Sequence, residues 1–111
     1  MSGSASGGIG FATYQVAGGS MAPTLFDGDV VIVRKTKRVK PGDIVVARHP
    51  HRANFTIVKR VVRAESGGWW IEGDNAAATD DSRSYGAVDR SLIIGKVIWT
   101  RKVSPARPQI S

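Results

Sequence analysis

Short apolar runs separated by turn-forming residues dominate the pattern of hydrophobic and polar positions. Gly-Asp, Pro-Gly and Gly-Gly pairs lie between the runs, as is typical of strands joined by turns. No long window shows a helical repeat, and Met21–Phe26 has room for one helical turn only. The pattern predicts an all-β (mostly β) domain, a compact folded sheet or small barrel. The runs that predict strands are rich in Val, Ile, Thr and Trp: Asp29–Arg34, Asp43–Arg48, Phe55–Arg63, Trp69–Glu72 and Leu92–Arg101.

The two ends of the chain lack this pattern. Residues 1–8 contain only Gly, Ser and Ala after the first Met, and residues 104–111 contain two prolines. We therefore predict flexible tails at residues 1–13 and 104–111, around one domain of residues 14–103. A length of 111 residues suits a single core. No run approaches the roughly 20 apolar residues of a membrane-spanning helix, and no signal-peptide pattern is visible, so we expect a cytoplasmic protein.

Charge and composition narrow the choice of chemistry. Sixteen Lys and Arg against nine Asp and Glu give a net charge of +7, which favours acidic partners such as nucleic acid, an anionic membrane or an acidic substrate. Cysteine is absent, which excludes disulfides, thiolate zinc sites and thiol catalysis. His49 and His51 flank a proline, and no carboxylate stands at a recognisable ligand spacing. A solvated loop is therefore favoured over a metal site, and we expect no metal or cofactor.

Ser20 is the candidate nucleophile. Gly18 and Gly19 precede it and Pro23 follows, so exposed N–H groups of this turn can form an oxyanion hole. A flexible Gly-Ser loop would have the same sequence. A serine hydroxyl needs a base, and with the histidines poorly placed a lysine is the remaining candidate.

Lys59 is the candidate base. Its same-face neighbours in the predicted strand are Ile57 and Val61, which would exclude water and disfavour the charged amine. Arg60 has an equivalent pair of valines on the other face, so periodicity alone does not show which basic residue points inward. Only the lysine can lose its proton at an accessible cost. The alternative is a strand in which the side chains of Lys59 and Arg60 both extend far enough for their charged groups to reach water.

A third segment, Gly73–Gly86, concentrates small polar side chains, carboxylates and one arginine. This composition favours a hydrogen-bonded support or a binding loop over a strand, with a solvated surface loop as the alternative. Asp81 and Arg83 are spaced to pair with each other and brace the loop.

These three segments, in this order, resemble the S26 family of serine–lysine peptidases, the type I signal peptidases and their relatives. Any one segment is a weak signal, whereas the ordered set is specific. The resemblance covers about residues 14 to 101. The matching segments are Gly19–Leu25, Gly28-Asp29, Gly42–Val46, Val58–Val62, Gly73–Asn75 and Asp81–Gly86.

The resemblance implies the compact β catalytic core of the signal peptidases. It makes Ser20 the nucleophile, with its own N–H in the oxyanion hole, and Lys59 the general base. Thr79 aligns with a serine that orients the lysine in relatives, and Gly18 stands where some relatives carry an accessory hydroxyl. The supporting residues that it implies are Thr79, Asp74, Asn75, Asp81 and Arg83.

The same resemblance implies a precursor polypeptide as partner, bound in extended conformation as an added strand. The residues that we expect to contact it are Val16, Ala17, Gly18, Met21, Thr56, Ile57 and Val58. A compact chain without an evident anchor or second β-domain is most similar to the maturation proteases of nickel-type superoxide dismutase. We therefore expect a serine endopeptidase that removes an N-terminal extension, with nickel belonging to the substrate.

Three other functions stay open at this stage. A signal peptidase acting on exported proteins could be held at the membrane by the basic run Arg34–Lys40 or by a partner. A self-cleaving, repressor-type relative of the S24 family would share the Ser-Met pair and a later lysine, but not the 73–86 loop. A non-enzymatic nucleic-acid-binding domain would use the charge and Trp69-Trp70. We expect no nucleic acid partner, allow a peripheral membrane contact, and leave the oligomeric state open.

Overall fold

The computed structural model describes residues 10–102 and confirms the predicted all-β fold. Its short helical elements are α1 (Ser82–Tyr85) and 3-10 turns at Ala76–Ala78 and Arg90–Leu92. The predicted C-terminal tail lies outside the described residues. The strands are β1 (Phe11–Gln15), β2 (Val30–Lys35), β3 (Ile44–Arg48), β4 (Thr56–Glu65), β5 (Gly68–Glu72) and β6 (Ile93–Arg101).

The six strands form one antiparallel sheet in the order β1-β2-β6-β3-β4-β5. The last strand therefore lies in the middle, between β2 and β3. The register shifts in three places, between Ile32 and Val33, between Val46 and Ala47, and between Val61 and Arg63. Such bulges bend strands and increase their twist.

Two apolar cores lie on opposite sides of this sheet. In β3, Val45 belongs to one core and Val46 to the other, and both are fully buried. Burial on both faces explains why this strand is an unbroken apolar run rather than an alternating one. The first core comprises Val45, Ala47, Ile57, Val61, Trp69, Ile71, Val88 and Ile93, and the second comprises Val16, Met21, Leu25, Val31, Val33 and Val46.

The N-terminal boundary of the domain differs from the prediction. Residues 11–13, which we assigned to a tail, lie in β1 and pair with β2. This edge strand has no fully buried residue, so its apolar signal is weak and its position depends on main-chain hydrogen bonds. The Met21–Phe26 segment does form a single turn, in which the N–H groups of Thr24 and Leu25 donate to Met21 O. Within residues 10–102, no helix has the length and apolarity needed to cross a bilayer.

The burial pattern predicts different costs for the same substitution in neighbouring strands. Val45 is 0% exposed and Val62 is 38% exposed. Val45→Ala should lower the free energy of unfolding by about 2 kcal/mol, because it leaves a cavity in the core. Val62→Ala should lower it by less than about 0.5 kcal/mol. Urea denaturation of both variants checks this, and equal losses would contradict the assigned register.

Candidate active site

The structure brings Ser20 and Lys59 together. Ser20 lies in the turn that follows β1, and Lys59 lies in the first half of β4. A hydrogen bond of 3.1 Å joins Lys59 Nζ and Ser20 Oγ. Two segments that are 39 residues apart in sequence thus present a hydroxyl and an amine to each other.

The Lys59 side chain points into the apolar interior. Lys59 is only 5% exposed, and its same-face neighbours Ile57 and Val61 are also buried. Burial lowers the pKa of Lys59 below its ordinary value. The carboxylates of Asp81 and Asp80 raise this pKa without reversing the shift, and the Arg83 charge lowers it further. The amine therefore loses its proton more readily than an exposed lysine does.

Arg60 lies on the opposite face of β4 and holds the Gly-Asp-Asn segment in place. Its Nε and Nη2 donate to the two carboxylate oxygens of Asp74, at 2.9 and 2.8 Å. The Thr24 hydroxyl donates to the same carboxylate at 2.5 Å. These hydrogen bonds, those from Arg60 above all, hold the pKa of Asp74 below its usual range despite the opposing effect of burial. Asp74 thereby ties the end of β5 to the turn that carries the serine.

The residues on either side of Asp74 contact the turn that carries Ser20. The Asn75 backbone N–H donates to Ser20 O at 2.9 Å, and the Asn75 side-chain amide donates to Gly19 O at 3.0 Å. A Cβ at Gly73 would lie 2.6 Å from Ser20 O and 2.4 Å from Thr79 Oγ1. Only glycine allows the backbone to approach the serine this closely.

Asp81 is a fully buried carboxylate that organises the rest of the loop. It accepts hydrogen bonds from Gly73 N–H, from the Thr79 hydroxyl and from Arg83, whose Nη2 lies 2.6 Å from Oδ2. Burial raises the pKa of Asp81, but these hydrogen bonds outweigh it and hold the pKa far below the ordinary value. The Thr79 hydroxyl makes its hydrogen bond to Asp81, at 3.0 Å, and none to Lys59 within residues 10–102. The resemblance implies that Thr79 orients Lys59. In the structure the Thr79 hydroxyl contacts Asp81 and not the amine.

A cleft of about 320 Å³ opens beside Ser20 and Lys59. The end of β1 and the start of β4 form its sides. The residues predicted to contact a substrate that line this cleft are Val16, Ala17, Thr56, Ile57 and Val58.

Two other predicted contacts lie elsewhere. Met21 is 0% exposed, and its sulfur accepts a hydrogen bond from Asp74 N–H at 3.4 Å. Its side chain is part of the core, so the prediction of direct contact was wrong for this residue. Gly18 has a positive φ and donates its N–H to Asp27 Oδ1 at 2.8 Å, which places it in the outer part of the turn and outside the cleft lining.

Two cleft residues, His49 and Asp80, were missed. The sequence predicted a solvated loop around His49, yet this residue is 8% exposed because Phe55 and Tyr85 pack their ring edges against it. His49 Nδ1 accepts from His51 N–H at 3.0 Å, which assigns the proton to Nε2, 3.0 Å from Asp80 Oδ2. The sequence did contain a signal for the burial of His49, because this residue continues the buried face of β3 two residues beyond Ala47.

The described residues offer no ready metal site. In residues 10–102 no group of three or more His, Cys, Asp or Glu side chains is arranged to hold a metal ion. The reactive side chains that line the cleft are the Ser20 hydroxyl, the buried Lys59 amine, the His49 imidazole and the Asp80 carboxylate.

The charges around Lys59 predict how its titration responds to substitution. Asp80→Asn removes one of the two negative charges that favour protonated Lys59, so the pKa of Lys59 should fall. An NMR titration of lysine-labelled protein measures this without requiring activity. Asp89→Asn, a matched loss of charge at a residue that does not influence Lys59, should leave the titration unchanged. A Lys59 pKa that rises or stays constant in Asp80→Asn would contradict the electrostatic assignment.

Comparison with known proteins finds relatives that are named as proteases. The chain is 33% identical over 110 residues to mitochondrial inner membrane protease subunit 1 of Xenopus tropicalis, which covers 75% of this chain and 66% of the relative. It is 35% identical over 118 residues to subunit 1b of the mitochondrial ATP-independent inner membrane protease of Arabidopsis thaliana, covering 82% and 69%. It is also 31% identical over 101 residues to signal peptidase I of Pseudomonas aeruginosa, covering 77% and 32%. The chain thus spans about two thirds of the mitochondrial relatives and one third of the bacterial one.

These relatives sharpen the family assignment. Signal peptidase I is among them, as the resemblance implied, whereas none of the three is named as a superoxide dismutase maturation protease. The motifs favour the S26 name, while the family model that matches, over residues 9–98, is described as Peptidase S24-like. Because this match spans most of the sequence and all of the site, the chain belongs to the Peptidase S24-like family.

Proposed function

We propose that this protein is a serine endopeptidase that uses Ser20 and Lys59 to remove a leader or N-terminal extension from a precursor polypeptide. The observation that carries the proposal is the 3.1 Å contact between the Ser20 hydroxyl and a lysine that is 5% exposed. A buried amine whose pKa is lowered is suited to take a proton from serine near neutral pH.

The mechanism follows from the positions of these groups. Neutral Lys59 takes the hydroxyl proton as Ser20 Oγ attacks the scissile carbonyl, and protonated Lys59 then gives that proton to the leaving amine. Lys59 next takes a proton from the water that attacks the acyl-enzyme, and gives it to Ser20 Oγ as the bond between the acyl carbon and Oγ breaks. The Ser20 N–H makes no hydrogen bond to any described residue, so it is free to bind the oxyanion. The Asn75 hydrogen bonds to the carbonyls of Ser20 and Gly19 hold this turn in position.

The strand edges beside the cleft support binding of an extended substrate. In β4, residues 56–59 pair with β3 on one side, and β5 pairs only from Arg60 onward. In β1, one edge pairs with β2 and, among the described strands, the other edge is unpaired. The cleft lies between these two free edges, so a substrate segment can add main-chain hydrogen bonds to either.

The names of the relatives guide the choice of substrate. Because the relatives are named as inner membrane protease subunits and signal peptidase I, we favour as substrates the leader peptides of proteins that enter or cross a membrane. The superoxide dismutase precursor is a narrower hypothesis that rests on the motif resemblance alone, and the cytoplasmic location likewise stays a prediction. A nucleic-acid function has little support, since Trp69 is 7% exposed and Arg63 covers the ring of Trp70.

Substitution of either proposed catalytic residue should abolish cleavage. With a secretory precursor and a nickel superoxide dismutase precursor as substrates, Ser20→Ala and Lys59→Ala should each lower kcat at least about a thousandfold. The mass of the product's new N-terminus identifies the cleavage site. Ser84→Ala and Lys35→Ala, matched changes at exposed positions outside the cleft, should retain activity. Cleavage that survives both active-site substitutions would rule out the proposed dyad.

The proposed base also predicts a pH dependence. Because only neutral Lys59 can accept the proton, kcat/KM should rise with pH through the Lys59 pKa, which lies below the ordinary value of 10.5. Steady-state cleavage rates measured from acid to alkaline pH test this. A flat profile, or a midpoint at or above the ordinary lysine value, would argue against Lys59 as the base.

A further inference from the structure

A second hollow lies away from the catalytic cleft and is strongly basic. It measures about 460 Å³ and shares no lining residue with the cleft. Four segments form it: the connection from β2 to β3, β5, the 3-10 turn before β6, and β6 itself. We call it the basic groove, after the cationic side chains that line it: Lys37, Arg38, Lys40, Arg90 and Lys96.

The positive charge of the basic groove is largely unbalanced. Asp43 is the one carboxylate in its lining, and it already serves two lysines, with Oδ1 3.3 Å from Lys40 Nζ and Oδ2 3.8 Å from Lys96 Nζ. Five cations against one carboxylate leave an excess of four positive charges around a single hollow. Like charges held this close repel one another, and a bound anion would relieve that repulsion.

Several of these cations are held in place by the fold. Lys37 Nζ donates to the carbonyls of Ser91, at 2.8 Å, and Ile93, at 2.5 Å, which ties the β2–β3 connection to the start of β6. Arg90 Nε donates to Gly67 O at 3.1 Å, which leaves its two terminal amino groups without a partner in residues 10–102. A site whose donors are already positioned loses less conformational entropy when a ligand binds.

The wall of the groove also contains an unsatisfied hydrogen-bond donor. Trp69 lines the groove and is 7% exposed, and its indole N–H has no partner among the described residues. The Arg90 guanidinium lies over its ring, 4.9 Å from the centroid. Buried donors without an acceptor are rare in folded proteins. The Trp69 ring thus supports Arg90 in the groove wall, while its own N–H is buried beneath the surface of the hollow.

We propose that the basic groove binds a phosphoryl oxyanion. A phosphate monoester has three acceptor oxygens and a charge of about −1.5 to −2 near neutral pH, which suits several convergent Arg and Lys donors. A single carboxylate would neutralise only one of the four excess charges. The ligand is either a soluble phosphate compound or the phosphate of a lipid headgroup, since the chemistry is the same. This site is separate from the catalytic cleft, so the proposal does not depend on the peptidase function.

Calorimetry with pyrophosphate as the probe tests the site directly. At constant ionic strength set with chloride, the intact chain should bind pyrophosphate, and Arg38→Gln/Arg90→Gln should bind it at least tenfold more weakly. Arg48→Gln/Arg101→Gln removes the same charge at exposed positions outside the groove, and its affinity should change less than twofold. Arg38→Gln alone guards against misfolding, because this side chain makes no contact that holds the described fold together, and it should weaken binding about threefold or more.

Vesicles identify the source of the phosphate. Retention on phosphatidylcholine vesicles containing phosphatidic acid, with release by pyrophosphate and loss in the groove variant, would support the site with a lipid headgroup as its ligand. Pyrophosphate binding without vesicle retention would support the site with a soluble ligand. Absence of pyrophosphate binding, equal weakening in the control variant, or vesicle retention that survives the groove substitutions would overturn the proposal.

Discussion

Exclusion of water from the amine of Lys59 is the constraint on which the candidate site depends. An ammonium group is costly to bury, and the sheet imposes this cost by placing Lys59 between two buried aliphatic neighbours on one face of β4, which favours the neutral amine. The Asp81 carboxylate, which is also buried, would favour the charged amine. Arg83 binds that carboxylate and reduces its influence, so the amine stays easy to deprotonate. The reactivity of the lysine is thus a balance between an apolar strand face and an ion pair in the following loop.

A second set of contacts fixes the positions of Ser20 and Lys59 relative to each other. Asp74 is held by Arg60 on the far side of β4, so the strand that carries the lysine also positions the loop that holds the serine turn. Asn75 then fixes the two carbonyls of that turn. The hydroxyl and the amine, which lie 3.1 Å apart, therefore share one support.

The sequence predicts strands β2 to β6 well and misses β1. Strands β2 to β6 are apolar runs because at least one face of each is buried, whereas β1 is an edge strand held by backbone pairing that leaves little trace in side-chain pattern. Among site residues, the periodicity of β4 could not choose between Lys59 and Arg60, and the choice came from the chemistry of the two side chains. His49 was missed because its burial depends on Phe55 and Tyr85, which approach from other segments. The basic groove is likewise invisible along the chain, since Arg90 and Lys96 join the Arg34–Lys40 run only through the fold.

The central position of β6 has a consequence for how the two parts of the site are held together. Ser20 belongs to the half of the sheet built on β1 and β2, and Lys59 belongs to the half built on β3, β4 and β5. No strand of one half pairs with a strand of the other in the described sheet, and β6 joins them by pairing with both. Without β6, the described strands of the two halves would share no backbone pairing, and side-chain packing and loop hydrogen bonds alone would hold them together. The last strand therefore keeps the half that carries the hydroxyl and the half that carries the amine in one continuous sheet.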